Sequence, residues 1–112
     1  MAIIYHLALR SDWEQARSAA EYQAPSLAEE GFIHCSQDHD QLLRVANRIY
    51  AGRTDMAVLE LDTDRLTAPL QREPSRSGEI YPHVHGSINT DAVTRWWPLP
   101  LNGSGKFFVP EH

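Results

Sequence analysis

Short apolar runs of strand length recur along the chain, separated by polar segments. Most of them are rich in β-branched and aromatic side chains, which favour extended backbone. The runs cover residues 2–9, 32–36, 56–62, 80–85, 92–97 and 106–109. Within the third run, Ala57, Leu59 and Leu61 alternate with other residues, so they share one face of a strand. Pro82 in the fourth run predicts an edge strand or a strand start.

Helical periodicity is confined to the first half of the chain. Residues 11–14 (Ser-Asp-Trp-Glu) have the spacing of a capping box, which predicts a helix to about residue 20. A further helical turn is predicted after Ser26 and closed by Gly31, because glycine commonly ends a helix. The clearest helix begins after Asp38, where apolar residues recur at helical spacing.

Early helices followed by a strand-rich second half predict an α+β fold. We expect a mixed or antiparallel sheet with two to three helices packed on its outside. A chain of 112 residues suits a single domain over residues 1–112. A domain of this size can bury a hydrophobic core without disulfide bonds or structural metal ions. Cys35 is the only cysteine, so no intrachain disulfide can form.

Charge and terminal sequence exclude several classes of protein. The formal net charge is −5, which argues against a broad nucleic-acid-binding surface. Arg44, Arg48 and Arg53 are interpreted as a solvated helix face, with a local phosphate contact as the alternative. No signal peptide and no membrane-spanning stretch is predicted, so we expect a cytoplasmic protein without a membrane partner. The sequence leaves the oligomeric state open.

Histidine is the most unusual feature of the composition, with 6 in the chain. Alternate side chains of a strand share a face, so Tyr81 is predicted to face the same way as the two histidines that follow it. Ser36 likewise shares a face with His34, two residues before it. Four histidines lie in predicted strands: His6, His34, His83 and His85.

Three interpretations of these histidines remain open. Each ring can simply satisfy a buried carbonyl. His83 and His85 have the spacing of two metal ligands, with His34 or His6 completing the set, but no carboxylate stands at a motif spacing, so no metal site is predicted. The favoured interpretation is a polar pocket for an organic ligand, in which imidazoles and hydroxyls bind sugars or phosphates. Cys35 and His34 are not predicted to form a catalytic thiol–imidazole pair. Side chains of adjacent strand residues point to opposite faces, so the imidazole could not take the thiol proton.

Three segments carry a resemblance that covers nearly the whole chain. They are residues 5–7 (Tyr-His-Leu), residues 30–36 (Glu-Gly-Phe-Ile-His-Cys-Ser) and residues 81–86 (Tyr-Pro-His-Val-His-Gly). Together they resemble the bacterial domain-of-unknown-function family 952. Some members of that family have tyrosine at the position of His85, so that position tolerates a residue other than histidine.

The resemblance implies an ADP-ribosyltransferase-like fold, a split β-sheet that clamps NAD in a cleft. It implies two catalytic candidates: Glu79, which would stabilise positive charge on the ribose as the nicotinamide bond breaks, and His34. NAD would be a substrate, and no cofactor is required. The implied ligand-binding residues are His6, Ser36, Tyr81, His83 and His85.

Two expectations follow for the site. The polar segment 73–79 is predicted to be a mobile loop that orders over a bound ligand. The alternative to a transferase is a non-catalytic module that binds a nucleotide-like small molecule. The orientation of Glu79 distinguishes the two, because a carboxylate that points out of the pocket favours the binding module.

Overall fold

The computed structural model of the protein describes residues 2–110. Short strands dominate this range, and three helices lie in its first half. The helices are α1 (Arg10–Ala16), α2 (Pro25–Glu30) and α3 (His39–Ile49). The strands are β1 (Ile3–Leu9), β2 (Glu21–Tyr22), β3 (Ile33–His34), β4 (Met56–Asp62), β5 (Leu70–Pro74), β6 (Ile80–Val84), β7 (Ile88–Asn89) and β8 (Val93–Pro98). No helix in the described range is long and apolar enough to cross a membrane.

The strands form three separate antiparallel sheets. One has the order β1-β4-β8, the second has the order β3-β6-β5, and β2 pairs with β7. An isolated bridge between Tyr5 and Ser36 connects β1 to the end of the second sheet. The prediction of an α+β fold with antiparallel sheets and helices packed on them is confirmed.

Strand β4 lies at the centre of the core because both of its faces are buried. Leu59 and Leu61 face a cluster that includes Ile33 from the second sheet. Met56 and Val58 face the opposite way, into a cluster shared with α3. A strand buried on both faces reads as a nearly continuous apolar run, which explains why its bounds match the predicted ones.

Helix α1 is shorter than predicted and lacks the capping box. Its N-cap is Leu9, which carries no capping side chain, and no side-chain cap bond from Ser11 forms. Glu14 bonds Arg10 at 2.8 Å instead of reaching back to the Ser11 backbone. Ala20, predicted on the inner face, is exposed beyond the helix end. Local capping chemistry is therefore overridden where β1 runs directly into the helix.

Helix α3 begins as its capping residue predicts. The Asp38 carboxylate accepts a 2.7 Å hydrogen bond from the backbone N–H of Gln41. Leu42 and Ala46 are buried, but Ile49 in the last turn is 58% exposed. The apolar spacing along this helix therefore does not end in a buried residue.

The predicted loop over residues 73–79 is largely a β-hairpin. Glu73 and Pro74 belong to β5, with Glu73 opposite Tyr81 of β6. The turn closes with a 2.9 Å bond from the Ser75 N–H to the Glu79 carbonyl. The predicted loop is therefore found at residues 75–79, and the prediction was wrong for Glu73 and Pro74, because β5 is polar on its exposed surface and carries no hydrophobic alternation.

Two other expectations about strands were also wrong. Pro82 lies in the central strand of its sheet, where its carbonyl accepts from the Cys35 N–H at 3.0 Å. Pro82 has no N–H to donate, and it stands beside the end of β3, where the Cys35 bond is the last one between the two segments. Residues 106–109 form no strand, and only a single bridge joins Leu101 to Phe107.

Candidate functional site

A cleft of about 750 Å³ lies between β1, α2, the end of α3 and the β5–β6 hairpin. Five of the predicted site residues meet in its walls, and they come from β1, from β3 and the residues just after it, and from β6. They are His6, His34, Ser36, Tyr81 and His83. Glu79 and His85, the other two predicted site residues, are not part of the lining.

His6 forms the innermost part of the wall and is only 4% exposed. Its Nδ1 bonds the His34 carbonyl at 2.6 Å, and its Nε2 bonds the Tyr22 hydroxyl at 2.9 Å. A carbonyl only accepts, so Nδ1 carries the proton and Nε2 accepts from the tyrosine. Burial lowers the pKa of His6 to about 4, which keeps the ring neutral. Both ring nitrogens are therefore used in holding β1 to its neighbours.

His34 presents its side chain to the cleft, with 53% of it exposed. Its Nε2 lies 2.8 Å from a carboxylate oxygen of Glu30, which also lines the cleft. Its ring stands edge-on to His83, with the centroids 5.2 Å apart. The direct passage from α2 through Gly31 into β3 places the acid and the imidazole side by side. This carboxylate–imidazole pair was not predicted from the sequence.

Aromatic rings and one hydroxyl complete the polar wall. Phe32 stacks on His83 at 4.1 Å with an interplanar angle of 17°. Tyr5 and Tyr81 are half-buried in the lining. Ser36 is buried, and its backbone exchanges two hydrogen bonds of 2.8 and 2.7 Å with Tyr5, which fixes its position. The cleft thus offers flat apolar faces beside hydrogen-bonding groups.

Glu79 is held in a network that joins the hairpin to α3. Arg44 donates to both carboxylate oxygens, at 3.0 and 2.7 Å. Tyr81 donates its hydroxyl at 2.8 Å, and Gln41 donates its amide at 3.1 Å. These bonds, that from Arg44 first, lower the pKa of Glu79 to about 2. With four donors on two oxygens, the carboxylate anchors the hairpin, and Glu79 is not among the residues that line the cleft.

His83 of β6 and His85, which directly follows the strand, point to the same side, as strand alternation predicts. Both rings contact the same oxygen of Glu73, with His83 Nδ1 and His85 Nε2 each 2.8 Å from Oε1. These bonds, led by the one from His85, lower the pKa of the Glu73 carboxyl. This carboxylate was not predicted to approach the histidines, because Glu73 was assigned to a loop rather than to the neighbouring strand.

Three arginines lie at the mouth of the cleft: Arg48, Arg53 and Arg76. Arg53 is paired with Asp55. Among residues 2–110, neither Arg48 nor Arg76 has a carboxylate partner. The solvated-face interpretation therefore fails to describe Arg48 fully, because its side chain also borders the cavity.

The comparisons with known proteins agree with the fold. A family model described as protein of unknown function (DUF952) matches residues 7–96. The crystal structure of protein CC0527 from Caulobacter crescentus has a TM-score of 0.83 at 26% identity, covering 96% of this chain and 94% of that chain. The solution NMR structure of CC0527 gives 0.80 at 27% identity, over 95% and 91%. No curated protein matches the sequence.

Proposed function

We propose that this chain, which belongs to the DUF952 family, binds a nucleotide-like small molecule of the NAD class in the cleft. The ADP-ribosyltransferase-like fold that the sequence resemblance implies is part of this proposal, and ADP-ribosyl transfer is not. The observation that carries it is the combination, in one cavity, of imidazoles, aromatic faces and cations that have no carboxylate partner among residues 2–110. These are the groups that bind phosphate, ribose and base.

The cations supply the phosphate end of the proposed site. Arg48 and Arg76 reach the cavity from α3 and from the hairpin turn, and both are exposed. A guanidinium pairs with phosphate oxygens in a bidentate geometry, and such charge-assisted bonds are the strong ones. His34 adds an accessible imidazole on the same wall. A diphosphate would therefore bind between α3 and the hairpin.

The base and the ribose fit the other walls. Tyr5, Phe32 and Tyr81 offer ring faces on which a planar base can stack. Ser36 brings a hydroxyl to the lining for a sugar oxygen. The volume of about 750 Å³ lies within the range of pockets that bury small organic ligands. The cleft is thus large enough for a dinucleotide fragment.

Binding without ADP-ribosyl transfer is the form of the proposal that the geometry favours. Transfer builds positive charge on the ribose, and a carboxylate aimed at that charge stabilises it. Glu79 already receives four donors and lies outside the lining. Glu30 does line the cleft, but its carboxylate contacts His34. We therefore propose a binding module, the non-transferase alternative.

Arg76→Gln is expected to weaken ADP-ribose binding by about 10- to 150-fold, because a hydrogen bond to a charged group contributes about 1.5–3 kcal/mol. Arg72→Gln is the matched control. Arg72 lies on the same hairpin, carries the same charge and does not line the cleft. Isothermal titration calorimetry with ADP-ribose, AMP and adenosine measures the affinities. Equal losses in both variants would indicate a diffuse charge effect rather than this site.

A further inference from the structure

We propose that Glu73, His83 and His85 form a binding site for a divalent transition-metal ion of the Zn²⁺ class. Ligand atoms of all three residues lie within 4.8 Å of one another. The site lies on the β5–β6 hairpin and is independent of the proposed nucleotide function. It also reverses the expectation from sequence that no metal site exists.

The hairpin register creates the cluster. His83 lies on β6 and His85 follows directly after the strand ends at Val84, and at this spacing of two residues both side chains reach the same carboxylate. Glu73 lies opposite Tyr81, which places it diagonally beside His83 on the same face. The sequence offered no carboxylate at a motif spacing, because this one arrives across the turn. The two histidines and a carboxylate from the neighbouring strand supply three converging ligands.

The ligand distances are close to those that a metal requires. Glu73 Oε1 is 2.8 Å from each histidine nitrogen. Zinc binds nitrogen and oxygen at about 2.0–2.2 Å, so tetrahedral ligands stand about 3.3 Å apart. An ion would replace these two hydrogen bonds after Glu73 Oε1 moves about 0.5 Å away from each nitrogen. The carboxylate now accepts the proton of the nitrogen that faces it on each ring, so ion binding requires that proton to leave. Each neutral imidazole would then carry its single proton on the ring nitrogen that faces away from the ion.

Packing fixes one ligand and leaves a path for the ion. Phe32 stacks on His83, whose side chain is 11% exposed, so this ring is already oriented. Glu73 and His85 are 40% and 33% exposed, which admits an ion from solvent and lets both side chains adjust. The proposed metal site thus combines one fixed ligand, His83, with two that can adjust, Glu73 and His85.

The ligand set favours a transition metal over Mg²⁺ or Ca²⁺. Two imidazoles and one carboxylate suit Zn²⁺, Co²⁺ or Fe²⁺, whereas Mg²⁺ and Ca²⁺ prefer oxygen ligands. Three protein ligands leave a coordination position for water or another molecule. Because His83 also lines the cleft, the ion would lie at the edge of that cavity.

The test uses Zn²⁺ calorimetry and Co²⁺ absorption on the full chain without a polyhistidine tag. One Zn²⁺ per chain is expected, with visible Co²⁺ bands of a low-coordinate site and no response to Mg²⁺. Loss of an outer-sphere partner lowers metal affinity about 10- to 100-fold, so Glu73→Gln or His85→Asn, which remove a ligand, should lower it at least about 10-fold. Glu14→Gln is the control, because Glu14 is an exposed carboxylate on α1, outside the cluster.

Three results would overturn the metal site. They are no Zn²⁺ binding by the folded wild-type chain, unchanged affinity in Glu73→Gln, and an equal loss in Glu14→Gln. Circular dichroism in the presence of chelator verifies that each variant is folded. If His85→Asn does not fold, the affinity of Glu73→Gln alone decides whether the metal site exists. ADP-ribose affinity measured in chelator is a separate readout, so the nucleotide proposal can fail or hold without changing this result.

Discussion

Wild-type protein is expected to lose about 3 kcal/mol of its free energy of unfolding between pH 6.5 and pH 4, and His6→Gln to lose much less. Burial lowers the pKa of His6 from 6.5 to about 4, so the ring is neutral in the fold. Protonation would put a charge among buried groups. It would also place a proton on Nε2, which accepts from Tyr22.

The direction of this pH effect follows from linkage. A group whose pKa is lower in the folded state binds its proton first in the unfolded chain. The stability from neutral His6 is therefore complete above about pH 6.5. It falls as the pH approaches 4, by about 1.4 kcal/mol for each pH unit. Below that pH the contribution no longer changes.

Urea unfolding at a series of pH values measures the effect. Glutamine keeps an amide at position 6 but does not titrate, so His6→Gln should lower stability at neutral pH and flatten the pH profile. The interval from pH 6.5 to 5 is the informative one, because most carboxyl groups remain ionised there. Parallel profiles for the two proteins would show that His6 does not carry the acid sensitivity.

Gly86→Ala is expected to cost about 3 kcal/mol of stability. Gly86 has φ +155°, a conformation that residues with a side chain rarely adopt. A Cβ atom there would lie 2.8 Å from the Cβ of Ala68, closer than two carbon atoms can approach. Backbone strain and overpacking each cost about 1–3 kcal/mol. The change would also displace His85, the residue before the glycine.

Gly103→Ala is the matched control, since a Cβ at Gly103 meets nothing within 4 Å. Chemical unfolding of both variants measures the difference. The double variant Ala68→Gly, Gly86→Ala should recover part of the loss, because it removes the close contact and leaves the backbone strain. Equal stabilities of Gly86→Ala and Gly103→Ala would contradict this account.

Elements with a local signal were predictable from the sequence. Asp38 caps α3 with its own side chain, so the start of that helix depends on neighbouring residues alone. Strand β4 is buried on both faces and shows the apolar run that such burial requires. Gly31 takes the left-handed conformation that ends α2. In each case the sequence within a few residues determines the element.

Elements stabilised by distant partners were not predictable. Strand β5 contains Gln71, Arg72 and Glu73, and pairs with β6 through the backbone, which a side-chain pattern cannot reveal. The Ser11 and Glu14 signal for a capping box was present, yet Glu14 pairs with Arg10. A competing ion pair one turn away is enough to displace a weak local preference.

The candidate site likewise has features that local sequence predicts and features that depend on distant partners. Strand alternation placed His83 and His85 on one face, and their shared contact with Glu73 agrees with that placement. The sequence could not show that the His6 ring is fully used by Tyr22 and the β3 backbone. Those bonds depend on how two sheets meet, which no spacing along the chain encodes.

Calorimetric titration of His34→Ala with ADP-ribose, beside its thermal unfolding, tests the central claim most directly. The His34 side chain is half-exposed and, within residues 2–110, bonds Glu30 alone, so removing it should change stability by less than about 1 kcal/mol. If the imidazole binds a phosphate in the cleft, affinity should fall by about 1.5–3 kcal/mol, or roughly 10- to 150-fold. Wild-type protein that fails to bind ADP-ribose, or a destabilised variant with unchanged affinity, would contradict nucleotide binding at this site.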